Sequence, residues 1–82
     1  RAPLIYQTLV RAARDIAEGS SIAAATSRGR EELTAAGFKV DYFEVRDAQT
    51  LGVVEDAAKR PLRVLAAAWL GETRLIDNVP LE

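Results

Sequence analysis

The clearest pattern in this chain is Leu62-Arg63-Val64-Leu65-Ala66-Ala67-Ala68-Trp69-Leu70-Gly71-Glu72-Thr73-Arg74-Leu75-Ile76-Asp77. Its first half is apolar at nearly every position, which is typical of a central strand covered on both faces. Gly71 then stands at the first central position of a two-residue turn, the signature of a type II′ hairpin. The pattern predicts two antiparallel strands joined by a tight turn. Because proline cannot donate to a strand ladder, we expect the last strand to end before Pro80 and to lie at an edge.

An earlier strand is predicted from Phe38 onward. Its apolar side chains fall first on even positions and then on odd ones, in the order Phe38, Val40, Tyr42, Phe43 and Val45. This change of parity indicates either a β-bulge or a strand that changes its buried face. We expect the strand to end at 47–49, and residues 50–59 to form a loop with room for one helical turn.

Two helices are predicted ahead of the strands. Residues 4–18 repeat apolar side chains at helical spacing, with Pro3 in the first turn and Gly19 as a C-terminal cap. Arg11 with Asp15, and Arg14 with Glu18, have the spacing of surface ion pairs within this helix. Ser20 or Ser21 is expected to cap a second helix that Gly37 closes. The predicted inner face of that helix contains Ile22, Ala25, Gly29, Leu33 and Ala36.

Two helices followed by three strands predict an α+β fold. The expected architecture is a two-layer sandwich, with two N-terminal helices packed on a three-stranded antiparallel sheet that ends in a C-terminal β-hairpin. The whole chain, residues 1–82, is expected to form one domain. Because the chain begins with Arg1-Ala2-Pro3 and not with Met, we interpret it as a piece of a longer protein.

Composition excludes several classes of function. The 82 residues include no Cys and no His, so the chain cannot supply a thiol nucleophile, a histidine base or a thiolate metal site. A net charge of -1 argues against a nucleic-acid binder, which would be expected to show a basic excess. The longest apolar run, Val64–Leu70, is far shorter than the about 20 residues of a membrane span. We therefore expect a soluble, cytoplasmic chain without self-contained catalysis, nucleic-acid partner or membrane partner.

Three short motifs invite a functional interpretation, and each has a plainer alternative. Gly19-Ser20-Ser21 before a helix has the setting of an anion site, but serine is a common helix cap, and we favour the cap. Arg28-Gly29-Arg30 resembles half of an RNA-binding Gly-x-x-Gly clamp, but the acidic pair 31–32 follows, and we favour a solvated helix face. Asp41 and Glu44 suggest an acid/base pair, yet a regular strand places them on opposite faces unless a bulge intervenes.

Two further groups are candidates for binding. Trp69, Tyr42 and Phe43 have the chemistry of a stacking platform, although core packing is favoured in a chain with few aromatic residues. Arg74, Asp77 and Asn78 form the densest polar cluster, for which we favour turn formation and surface ion pairing. Strand alternation puts Arg74 and Asn78 on one face and Asp77 on the other.

Three segments, in this order after two helices, carry a family resemblance: Gly37-Phe38-Lys39-Val40-Asp41-Tyr42-Phe43-Glu44-Val45-Arg46-Asp47, then Arg60-Pro61, then Ala66-Ala67-Ala68-Trp69-Leu70-Gly71-Glu72-Thr73-Arg74-Leu75-Ile76-Asp77-Asn78. They resemble the C-terminal domain of the pantothenate synthetase (pantoate–β-alanine ligase) family. The resemblance implies a parent enzyme that joins pantoate to β-alanine with ATP and Mg²⁺, through a pantoyl adenylate and with release of pyrophosphate.

The resemblance also implies where the chemistry lies. In that family, a histidine motif belongs to a Rossmann-like N-terminal domain, and a Ser-Ser-Arg-Asn segment that contacts ATP precedes the region seen here. We therefore assign no catalytic, cofactor-binding or metal-binding residue to this chain. The role left for this domain is a lid over the active cleft, inactive by itself. A separate hypothesis is that Arg74 or Asn78 faces the cleft in the intact enzyme. The alternative is an independent interaction module that associates through a sheet edge. Separately, the chain alone can self-associate through the surface that the absent parent domain normally covers.

Overall fold

In a computed structural model, the chain forms two helices followed by three strands. The described residues are 2–48, 50, 52 and 62–81. Helix α1 spans Ala2–Ala17, and helix α2 spans Ile22–Ala35. The strands are β1 (Lys39–Asp47), β2 (Leu62–Leu70) and β3 (Thr73–Leu81). The α+β class is confirmed, whereas most of the loop predicted at 50–59 lies outside the described residues.

The sheet has the order β1-β2-β3, and both strand pairs are antiparallel. The predicted hairpin is confirmed: Leu70 pairs with Thr73 across the turn, and Gly71 has a φ of 63°. The prediction that β3 ends before Pro80 is wrong, because Pro80 pairs with Arg63 inside the strand. An edge strand tolerates proline because only alternate N–H groups of that strand point toward its neighbour.

Both helices end in the same backbone motif. After α2, the N–H of Gly37 donates to Thr34, and the N–H of Phe38 donates to Leu33, at 3.0 Å each. This is the Schellman arrangement, and it needs the positive φ of 99° that Gly37 adopts without strain. Gly19 and Ser20 repeat the motif after α1. The motif also carries the chain from α2 directly into the core, because Phe38 and Leu33 are both buried.

The core lies between the helices and one face of the sheet. Helix α1 packs on β2 and β3, and α2 packs on β1. The core comprises Ile5, Leu9, Ala12, Ile16, Ile22, Ala25, Leu33, Phe38, Phe43, Val45, Leu62, Val64, Ala66, Ala68 and Val79. The predicted inner face of α2 is confirmed except at Ala36, which is exposed because it is the C-cap and lies beyond the last helical turn.

Gly29 of α2 lies directly against the Phe43 ring of β1. A Cβ atom on Gly29 would lie 2.4 Å from Cζ of Phe43, a distance that real Cβ contacts essentially never show. Because Gly29 has no side chain, the aromatic ring can pack directly against the helix backbone. This contact sets how close the helical layer lies to β1.

Two charged residues of α1, Arg11 and Asp15, pair with residues of α2. Arg11 forms an ion pair with Glu32, and Asp15 lies 3.6 Å from Arg28. The predicted pair of Arg11 with Asp15 is therefore wrong. The neighbouring helix supplies partners that spacing along one helix cannot indicate.

Among the described residues, no helix is long and apolar enough to cross a membrane.

Candidate functional site

The sheet face opposite the helices, here called the outer face, carries the polar and aromatic side chains that the sequence singled out. The strand register shows which residues lie on this face. Tyr42 and Ile76 flank Ala67, Glu44 and Asn78 flank Leu65, and Arg46 lies opposite Arg63. Trp69 and Arg74 are paired near the hairpin end. Alternation along β3 is regular, with Arg74, Ile76 and Asn78 exposed and the residues between them at least partly buried. The helices leave this face open.

A β-bulge explains the change of parity in β1. The register shifts between Val40, which pairs with Ala68, and Tyr42, which pairs with Ala67. Asp41 is the extra residue, so Val40 and Phe43 both point toward the core although their numbers differ in parity. The first of the two predicted explanations, the bulge, is therefore correct.

The two candidate carboxylates, Asp41 and Glu44, each bind an arginine side chain. Asp41 Oδ2 accepts hydrogen bonds from Nη2 of Arg74 at 2.8 Å and from Nε at 3.2 Å. Glu44 Oε1 accepts from Arg46, at 2.5 Å from Nη2 and 3.0 Å from Nε. Each carboxylate is held by a different arginine, so the arrangement is one of two ion pairs and not of a shared proton site.

Arg63 has a different partner from the other two arginines of the outer face. Its Nε donates to Oδ1 of Asn78 at 2.9 Å, across the β2–β3 ladder. Within the described residues, Arg63 forms no ion pair, so a neutral amide faces its positive charge. This cross-strand pair was not identified in the sequence, because its members are 15 positions apart and only the strand register brings them together.

The polar cluster on β3 divides as strand alternation predicted. Arg74 and Asn78 lie on the outer face, and Asp77 lies on the other face, opposite Ala66. Oδ1 of Asp77 accepts the backbone N–H of Asn78 at 2.8 Å, a local role consistent with the favoured structural interpretation. The pairing of Arg74 with Asp41 is the surface ion pair that this interpretation expected.

The three aromatic candidates do not share one environment. Phe43 is fully buried, Tyr42 is half-buried, and Trp69 is 38% exposed. The expectation that Trp69 packs in the core is wrong. Its side chain lies on the outer face of β2, which the helices do not cover. The same face carries a shallow depression of about 330 Å³, lined by Tyr42, Glu44, Arg46 and Leu65.

The remaining two motifs have structural roles. Ser21 is the N-cap of α2, and its Oγ accepts the N–H of Ala24 at 3.0 Å, so the favoured cap interpretation is confirmed. Gly29 packs against the ring of Phe43, and Arg28 faces Asp15 of α1. The part of the chain described here contains no group of three acidic side chains placed to hold a metal ion.

Comparison with known proteins identifies the family. The model of the family described as pantoate-beta-alanine ligase matches residues 1–80. The chain belongs to this family. It is 47% identical over 78 residues to a pantothenate synthetase of Rhodopseudomonas palustris, and 48% identical over 83 residues to one of Pseudomonas putida. The resemblance stated from the sequence is therefore confirmed.

Solved structures of family members have the same fold. The pantothenate synthetase of Thermus thermophilus matches with a TM-score of 0.82 and 33% sequence identity over 95% of this chain. The match covers 28% of that protein's length, and the two bacterial relatives are covered to the same 28%, against 95% and 98% of this chain. The chain thus corresponds to a C-terminal portion of these ligases, little more than a quarter of their length.

Proposed function

We propose that this chain is the C-terminal lid of a pantothenate synthetase. The parent enzyme would make pantothenate from pantoate, β-alanine and ATP through a pantoyl adenylate, and the lid would close over the cleft in which that intermediate forms. The observation that carries the proposal is the match of 95% of this chain to 28% of the length of proteins named pantothenate synthetase.

The chemistry of the described residues supports a lid and not a complete active site. The chain has no His or Cys to serve as base or nucleophile. Asp41 and Glu44, the acidic side chains nearest the outer face, each bind an arginine, so they do not fit a Mg²⁺ site. ATP and Mg²⁺ would therefore be held by the rest of the parent chain, including its Rossmann-like N-terminal domain.

The reaction itself gives a reason for a lid. An acyl adenylate reacts with water as well as with an amine, and closing the cleft excludes the water until β-alanine attacks. A loosened lid should therefore raise the hydrolysis of the intermediate relative to its transfer. The measurable quantity is the ratio of AMP released to pantothenate formed.

Arg74 and Asn78 are the residues through which we test this role. Both are exposed on the outer face, and their bonds to Asp41 and Arg63 hold the side chains on that face. In the full-length enzyme, Arg74→Ala combined with Asn78→Ala should lower the rate of pantothenate formation and raise the AMP-to-pantothenate ratio. Arg30→Ala on the exposed side of α2 is the matched control and should change neither. An unchanged rate and ratio would return Arg74 and Asn78 to a structural role.

Two measurements test the proposal as a whole. The pure 82-residue chain should form no pantothenate, and detectable synthesis would refute the lid role. The native protein, captured from source cells, should have an intact mass several times the 8.9 kDa of this chain. A native species of about 8.9 kDa would favour the alternative, an interaction module that uses a sheet edge.

A further inference from the structure

Strand β2 is apolar on both faces, but the helices cover only one of them. Its core-facing residues Leu62, Val64, Ala66 and Ala68 are buried on the side of the sheet where α1 packs on β2. Its outward residues are Arg63, Leu65, Ala67 and Trp69, of which only Arg63 is polar. A sheet with one solvated face usually alternates apolar and polar side chains along each strand. The central strand therefore has the composition of a strand that is covered twice.

We propose that the outer face is the surface that seats against the remainder of the parent polypeptide. The inference rests on the proposed function, since it names the surface through which the lid meets the rest of the enzyme. The occupant is the part of the parent chain outside this one. More than two thirds of the length of the matched relatives lies outside the aligned region, so the parent has ample surface to supply the cover.

The centre of the outer face, at Ala67, is closed to water within this chain alone, as the middle of an interface is. Ala67 is 0% exposed although it points away from the helices, so its neighbours on the sheet cover it. Its direct partners are Tyr42 on β1 and Ile76 on β3. Ile76 is 59% exposed and Trp69 38% exposed, which leaves two large apolar side chains in water beside this packed centre. Interface cores are enriched in aromatic and apolar residues of this kind.

Charge defines the chemistry of the surface that fits. Arg63 lies directly opposite Arg46, and like charges facing each other across strands are destabilising. Glu44 offsets Arg46, whereas among the described residues only the neutral Asn78 faces Arg63. The complementary surface is therefore apolar where it meets Trp69 and Ile76, and it places an acidic side chain near Arg63.

Thiol labelling tests the cover without reference to catalysis. We would compare Ile76→Cys with Ser27→Cys in the full-length enzyme, reading the modified peptides by mass spectrometry, with and without ATP, pantoate and Mg²⁺. Both positions are exposed in this chain, and Ser27 lies on α2, on the other side of the molecule from the outer face. If the parent covers the outer face, the thiol at position 76 should react at least about 10-fold more slowly in one or both conditions, a difference typical of a buried site.

Equal reactivity at the two positions in both conditions, or slower reaction at position 27, would overturn the proposal. Protection at position 76 that disappears on dilution would also overturn it, because a second copy of the protein would then be the cover. A failure of the proposed function looks different: protection at position 76 would persist in an enzyme that makes no pantothenate.

Reversal of one charge tests the acidic partner. In the Ile76→Cys background, Arg63→Glu should increase labelling at position 76 several-fold, because two negative charges would then face each other. Arg30→Glu, a reversal at an exposed position of α2, is the control and should leave the labelling rate unchanged. An equal effect of the two reversals would remove the acidic group from the proposal.

Discussion

Replacing Gly29 by alanine should destabilise this fold, although alanine is the better helix former. In an ordinary helix interior, glycine to alanine stabilises by about 1 kcal/mol. Here the added methyl group would lie 2.4 to 2.8 Å from three atoms of the Phe43 ring. Phe43 is fully buried and cannot swing into solvent, so either α2 or β1 must shift.

The expected size follows from setting the two effects against each other. Forcing an extra methyl group into a packed core costs about 1 to 3 kcal/mol. After the helix gain of about 1 kcal/mol, we expect a net loss of about 0 to 2 kcal/mol, centred near 1. For a chain of this size, a loss of about 1 kcal/mol lowers Tm by roughly 4 to 8 °C.

The assay is reversible unfolding by urea and by heat, followed by far-ultraviolet circular dichroism. A second substitution isolates the contact, because Phe43→Leu removes the ring that the methyl group would strike. In that background, Gly29→Ala should be neutral or stabilising, with a coupling energy of at least about 0.5 kcal/mol. If Gly29→Ala stabilised the chain by about 1 kcal/mol with Phe43 in place, the close-approach argument would be refuted.

Three further effects follow from named contacts. Ser21→Ala should cost about 1 kcal/mol in urea unfolding because Ala24 loses its capping acceptor, while Ser20→Ala should cost much less; equal losses would contradict the assignment of the cap. Gly37→Ala should lower unfolding stability by about 1 to 2 kcal/mol, because φ is 99° there, and a neutral result would argue against that conformation. A double-mutant cycle on Arg11 and Glu32, which lie at the surface, should give a coupling of about 0.2 to 1 kcal/mol that shrinks in high salt; a coupling that salt leaves unchanged would contradict a solvent-screened pair.

Much of the architecture was predictable because its signals are local. The caps at Gly19 and Gly37, the hairpin turn at Gly71 and the helical periodicity of α1 each depend on residues within a few positions of one another. The parity change in β1 likewise indicated either a bulge or a change of buried face, although it did not decide between them or identify Asp41 as the extra residue. Family membership was predictable because the two longest matching segments are strands and turns with distinctive composition.

The errors arose where neighbours distant in sequence compete with local ones. Arg11 was assigned to Asp15 on its own helix, yet Glu32 on α2 is its partner. Trp69 was placed in the core because it ends an apolar strand, yet its side of β2 has no helix over it. Pro80 was expected to end β3, but an edge position accepts it. Each outcome depends on packing between elements.

By itself, the sequence determined the order of elements, the α+β class, the family and the absence of Cys and His. These follow from composition and short-range pattern, which any conformation of the chain retains. Only the tertiary structure decided that Asp41 binds Arg74, that Arg63 faces Asn78, and that Trp69 and Ile76 share one open face. The physical reason is strand register: a shift of one residue turns every following side chain to the opposite face, and in β1 the bulge makes that shift.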